Sequence, residues 1–78
     1  VIALYPNPTK GELWINFPEI GNQIAHLKIV DLLGKLVYQE KIAQPLSRID
    51  LSGLRPGSYV YSVQQSGAVS SGKIVKVE

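Results

Sequence analysis

Chemistry needs a few reactive side chains within reach of one another, and this sequence supplies few. His26 is the sole histidine and there is no cysteine. A thiolate metal site is therefore impossible, and no second imidazole exists to share a metal. His26 alternates with Leu27, which reads as a surface position on a strand. The carboxylates Glu12, Glu19, Asp31, Glu40, Asp50 and Glu78 form no paired motif. Glycosidase-type acid/base work would need two of them to face each other across a cleft, which is hard to build on a short sandwich. Gly34-Lys35 lacks the upstream Gly and the following Ser/Thr of a phosphate-binding loop, with Leu36 in that place. Ser47, Ser52, Ser58, Ser62, Ser66, Ser70 and Ser71 have no nucleophile-elbow context. Asp31 and Asp50 read as turn formers, because calcium needs more oxygen ligands than their neighbours offer. The sequence therefore reads as that of a non-enzyme with no metal and no cofactor.

Trp14, the sole tryptophan, is open to two readings. It lies opposite Leu13 and Ile15 in a period of two, so it could stack on a sugar or a partner. The favoured reading makes it core, with the neighbouring face, that of Leu13 and Ile15, less buried than the pattern suggests.

Composition narrows the class. The chain has 78 residues, enough for one domain with one modest core. Hydrophobic residues make up 45% and charged residues 18%, which excludes a disordered tail. The net charge of +2 reflects few carboxylates rather than clustered bases. Lys10, Lys28, Lys35, Lys41, Arg48, Arg55, Lys73 and Lys76 are dispersed, which argues against nucleic acid. No apolar run approaches the ~20 residues that span a bilayer. With no leader pattern and no initiator Met, the sequence reads as a piece of a longer protein.

The elements that could position these residues are short strands. Val1 to Tyr5 is apolar and leads into Pro6-Asn7-Pro8, where two prolines give the chain a stiff path. Pro8 also disqualifies Asn7 as a glycosylation acceptor. Glu12 to Phe17 alternates, with Leu13, Ile15 and Phe17 on one face. Ala25 to Asp31 alternates again. Asp31-Leu32-Leu33-Gly34-Lys35 predicts a hairpin: Asp31 caps a type I turn and Gly34 supplies the left-handed residue of a bulge. Lys35 to Glu40 returns, with Leu36 and Tyr38 on one face and Val37 on the other. Leu46 to Leu51 follows Pro45. Gly67 breaks the chain, and Gly72 to Glu78 forms a last strand.

The strand Ser58 to Val63 is preceded by Leu54-Arg55-Pro56-Gly57. Pro56 and Gly57 suit the two central positions of a type II turn. Tyr59, two residues beyond Gly57, matches the tyrosine corner of immunoglobulin-like sandwiches. Seven short strands at this spacing, with no sustained helical period, predict an all-β, immunoglobulin-like antiparallel β-sandwich. Val30, Val37, Val60 and Ile74 point away from their neighbours' core face. They form either an exposed apolar patch for a protein partner or the strand formers of a half-exposed sheet.

Four blocks in order across the chain resemble the type A C-terminal sorting domain of the type IX secretion system of Bacteroidetes. They are Leu4-Tyr5-Pro6-Asn7-Pro8 with Gly11, Ile29 to Lys35, Ile49 to Leu54 with Pro56-Gly57-Ser58-Tyr59, and Gly72 to Val77. Val30 departs from the aromatic common at its position. Pro6, Asn7, Pro8, Asp31, Gly34, Lys35, Pro56, Gly57 and Tyr59 are the structural residues of these motifs.

The resemblance implies that residues 1–78 are one sorting domain at the C-terminus of a larger secreted protein. It implies a domain that folds in the periplasm and directs its cargo through the outer-membrane translocon, with shuttle and sortase-like components as partners. A sortase-like protease would then remove it upstream of Val1, leaving the cargo on the outer-membrane surface or secreted. Lys73, Ile74, Val75, Lys76, Val77 and Glu78 are the expected recognition residues, as an edge strand open to a partner whose lysines discourage self-association. In the alternative, this strand merely completes the sandwich. The competing function is a fibronectin-type or carbohydrate-binding accessory module of an extracellular enzyme.

Overall fold

The computed structural model describes residues 2–78, so the part of the first strand assigned to Val1 lies outside the described residues. Among the described residues, seven strands form two antiparallel sheets. They are β1 (Ala3–Tyr5), β2 (Glu12–Asn16), β3 (Ala25–Asp31), β4 (Leu36–Ile42), β5 (Leu46–Asp50), β6 (Gly57–Gln65) and β7 (Ala68–Lys76). A 3₁₀ turn, Pro18–Ile20, follows β2. One sheet has the order β1-β2-β5 and the other β4-β3-β6-β7. The expected β-sandwich is the observed architecture.

Alternation places the core between the sheets. Leu13, Ile15 and Ile49 face inward from the first sheet. Leu27, Ile29, Tyr59, Val63 and Ile74 meet them from the second. Phe17, Ile20, Ile42 and Leu51 close the flanks. Each of these large side chains contributes about 1.5–3 kcal/mol by leaving water.

The hairpin between β3 and β4 has the expected chemistry. The Asp31 Oδ1 accepts from the N–H groups of Leu33 and Lys35, both at 2.9 Å. Gly34 donates its N–H to the Asp31 carbonyl and sits at φ 86°, where a side chain would be strained. The bulge then inserts one residue: Ile29 pairs with Tyr38 but Val30 pairs with Leu36, so Val37 has no partner. This reverses part of the expected facing. Val37 and Tyr38 both pack against the core, and Leu36 is exposed.

The corner is also present. The Tyr59 hydroxyl donates to the Arg55 carbonyl at 2.6 Å while its ring is buried. The turn that delivers it differs from expectation. The hydrogen-bonded turn is Leu51–Leu54, closed by Leu54 N–H to Leu51 O at 3.0 Å. Gly57, at φ 154°, already pairs with Lys76 in β6 instead of occupying a type II turn. The corner bond ties the approach at Arg55, so the bend needs no second reverse turn.

The last strand starts earlier and ends sooner than Gly72 to Glu78. Ser66 and Gly67, at φ 48° and 84°, form the tight loop between Gln65 and Ala68, and β7 runs from there. Gly72 lies inside it, opposite Tyr61, whose ring covers the space where a side chain would stand. Ile74, assigned to the apolar patch, is a core residue with 0% exposure.

Candidate recognition site

β7 is an edge strand of its sheet, but its C-terminal half is not open. The Pro6-Asn7-Pro8 segment runs along it through two cis prolyl bonds. The Asn7 Nδ2 donates to the Lys73 carbonyl at 2.8 Å, and the Val75 N–H donates to the Asn7 Oδ1 at 3.0 Å. Thr9 continues as a parallel bridge: its N–H donates to the Val75 carbonyl at 2.9 Å, and its carbonyl accepts from the Val77 N–H at 2.8 Å. The Thr9 hydroxyl is buried, donating to the Glu12 carbonyl at 2.5 Å and accepting from the Gly11 N–H at 3.1 Å. The first and last motif blocks are thus a single unit. Of the backbone groups expected to be free, the Lys73 carbonyl, both groups of Val75 and the Val77 N–H are engaged within the domain.

Side chains along this strand divide by face. Ile74 and Lys76 turn inward, and Lys76 is only 6% exposed. Its four-carbon apolar stem suits such a position. Lys73, Val77 and Glu78 are exposed, and Val75 is half-buried. The accessible part of the expected recognition segment is therefore Lys73, Val77 and Glu78.

The other motif residues meet at the same end of the sandwich. Asp31 pairs with Tyr59, Tyr59 with Ile74, and Gly57 with Lys76. The Leu32–Leu33 tip, the Leu51–Pro56 loop, Thr9 to Gly11 and Val77 to Glu78 consequently cluster there. Asp31, Lys35, Leu54, Arg55 and Tyr59 line one shallow depression between hairpin and corner. The corner and hairpin were recognisable from turn residues. The clamp was not, although Asn at the centre of Pro-Asn-Pro is a side chain suited to bridging a backbone donor and acceptor.

Other candidates disperse. His26 is exposed on the outer face of β3. Asp50 accepts from the Ser52 N–H at 2.9 Å, which with the Ser52 hydroxyl holds its carboxyl below the usual range. Glu12 is lowered in the same sense by its bond from Arg48 Nε at 2.6 Å. Burial and a bond to Glu40 push the Tyr38 hydroxyl well above the usual phenol range. No group of three or more metal-ligating side chains occurs among the described residues. Trp14 is half-buried on the outer face of the three-stranded sheet, between Tyr5 and Arg48, and not in the core. The favoured core reading of Trp14 is overturned, because Leu13 and Ile15 on the neighbouring face are fully buried and fill the core.

The model of the secretion system C-terminal sorting domain matches residues 3–77. The chain belongs to this family. As a type IX sorting domain of Bacteroidetes it carries a C-terminal secretion signal, which implies interaction with that secretion system and export to the cell surface or beyond. The family is not an enzyme family. No match was found among curated proteins. Among the described residues of the sorting domain, no helix is long and apolar enough to cross a membrane.

Proposed function

We propose that this sorting domain forms the C-terminal module of a larger secreted protein, folds in the periplasm, and delivers its cargo to the outer-membrane translocon. The shuttle and sortase-like components then take it, and a sortase-like protease cleaves upstream of residue 1 as the cargo reaches the surface. The observation that carries this reading is the gathering of all four family blocks at one end of the sandwich, with Asn7 and Thr9 clamping β7 there. A rigid end built from separated blocks is a surface that exists only once the domain has folded. The domain thus acts as a recognised substrate of processing and not as a catalyst.

Within that end, Lys73, Val77 and Glu78 supply accessible side chains for recognition, while Ile74, Val75 and Lys76 hold them in place. Removing Lys73 to Glu78 altogether would delete the buried Ile74 and so unfold the domain. The test therefore uses a fluorescent protein with a signal peptide and this chain at its C-terminus, expressed in hosts with and without the type IX machinery. Export should require both the machinery and the chain. Substituting Lys73, Val77 and Glu78 by Ser should reduce export while circular dichroism stays native. Undiminished export of the folded triple variant would remove these side chains from the signal.

A second reading draws on the row Tyr5–Trp14–Arg48, which crosses the outer face of the three-stranded sheet. Two aromatic side chains beside a guanidinium suit stacking on a sugar ring. Glycan retention in affinity electrophoresis, lost on Trp14→Ala, would favour an accessory binding module.

A further inference from the structure

The hairpin tip is the least expected surface of the molecule. Leu33 is 95% exposed and Leu32 is 71% exposed. The turn does not ask for them: Asp31 caps it and Gly34 closes it, and polar residues would serve between. The caps instead hold two adjacent leucines rigidly in water.

The apolar surface continues below the tip. Leu36 pairs with Val30 and Val30 with Val60, so the three form a row across the outer face of β4, β3 and β6. Leu36 and Val60 are exposed and Val30 is half-buried. Lys73 pairs with Val60 at the end of this row, and Lys28 and Lys41 stand on the same face. Register places Asp31 and Glu40, the carboxylates of this sheet's paired strands, off that outer face. The opposite sheet, by contrast, carries Glu12, Arg48 and Asp50 together. On that face the charged neighbours of the apolar row are lysines, Asp31 standing at the base of the tip and off the face, and the row adjoins Lys73, the first residue of the terminal segment.

We infer that the Leu32–Leu33 tip and the Leu36–Val30–Val60 row dock the domain onto a protein of the secretion machinery. The partner presents an apolar pocket for the tip, rimmed by carboxylates that meet Lys28 and Lys73. This rests on the sorting reading and specifies which face is read. The charge pattern selects the occupant: a second copy would bring lysine against lysine, whereas an acidic rim complements it. Apolar anchors at the centre with charges outside them is the usual anatomy of such an interface.

The test uses the reporter fusion with L32S/L33S and, separately, K28E/K73E. Both should lower export by about tenfold or more, the loss that follows removal of a central anchor or reversal of a complementary charge. Melting should stay unchanged, since neither leucine is packed. Should L32S/L33S melt early, Leu33→Lys alone carries the same test at a fully solvated position. Native export of the folded hairpin variants would overturn the docking assignment and leave the sorting reading intact. Failure of the unmutated chain to direct export would overturn both. Flotation with phosphatidylglycerol vesicles covers the remaining case: binding that L32S/L33S abolishes would assign the tip to a lipid surface and overturn docking onto protein.

Discussion

The side chain of Asn7 accepts a hydrogen bond from the backbone N–H of Val75, 68 positions later in the chain. The same amide donates to the carbonyl of Lys73, so one side chain replaces a neighbouring strand over that stretch. Asn7→Ala should therefore destabilise the domain by about 1–2 kcal/mol, because two backbone groups lose their partner and only water can replace it. Hydrogen exchange gives the sharper readout. The Val75 amide should lose protection while the Leu27 amide, deep in the sheet, keeps it.

Tyr59 has two separable roles. Tyr59→Phe keeps the ring and removes the bond to Arg55, at a cost of about 1 kcal/mol. Tyr59→Ala also empties the core and should cost about 3–5 kcal/mol, enough to unfold a domain of this size. Thermal melts of the two variants should differ widely. A shift of a few degrees for Tyr59→Ala would show that the ring is not a core element.

Gly72 leaves room for the ring of Tyr61. A Cβ there would stand 2.7 Å from both a ring carbon and the hydroxyl of Tyr61. Gly72→Ala should destabilise by about 1–3 kcal/mol as the ring is displaced. Combining it with Tyr61→Val should recover part of the loss, and a double-mutant cycle by denaturant unfolding measures that coupling.

Acid should weaken the outer face of the three-stranded sheet. The bond from Arg48 holds the Glu12 carboxyl below its ordinary value, and the Ser52 bonds do the same for Asp50. A carboxyl with a lowered value in the folded state binds its proton more readily when unfolded. Its stabilisation is present above the unfolded value and is lost as pH falls through the folded one. Both groups are solvent-exposed, so the effect is small and screened by salt. Glu12→Gln should melt slightly below the native chain at neutral pH and match it more closely in acid. Melts at low and high salt on either side of the carboxylate range provide the check.

Much of the fold was legible because its signals are local. Period-two alternation set the inward faces of β2, β3 and β6 without reference to the rest of the chain. Asp31 and Gly34 specified a turn through their own backbone chemistry, and Leu54 to Tyr59 announced the corner. The failures share a different cause. Val37 changed face because a bulge shifts every later residue by one, and a bulge is detectable only in the pairing of two strands. Ile74 went inward because register sets it opposite the buried Tyr59, a pairing that β7 alone does not reveal.

The same division applies to function. The amino-acid sequence by itself determined an all-β sandwich with its corner and hairpin, and the four ordered blocks of a sorting domain. Those depend on short-range residue chemistry and on order along the chain. The tertiary structure alone decided that the four blocks meet at one end, that Asn7 and Thr9 close the edge of β7, and that two leucines stand in water beside a basic face. Each of these is a juxtaposition of segments remote in the chain, settled by strand register and by which backbone groups remain unpaired once the sheets have formed.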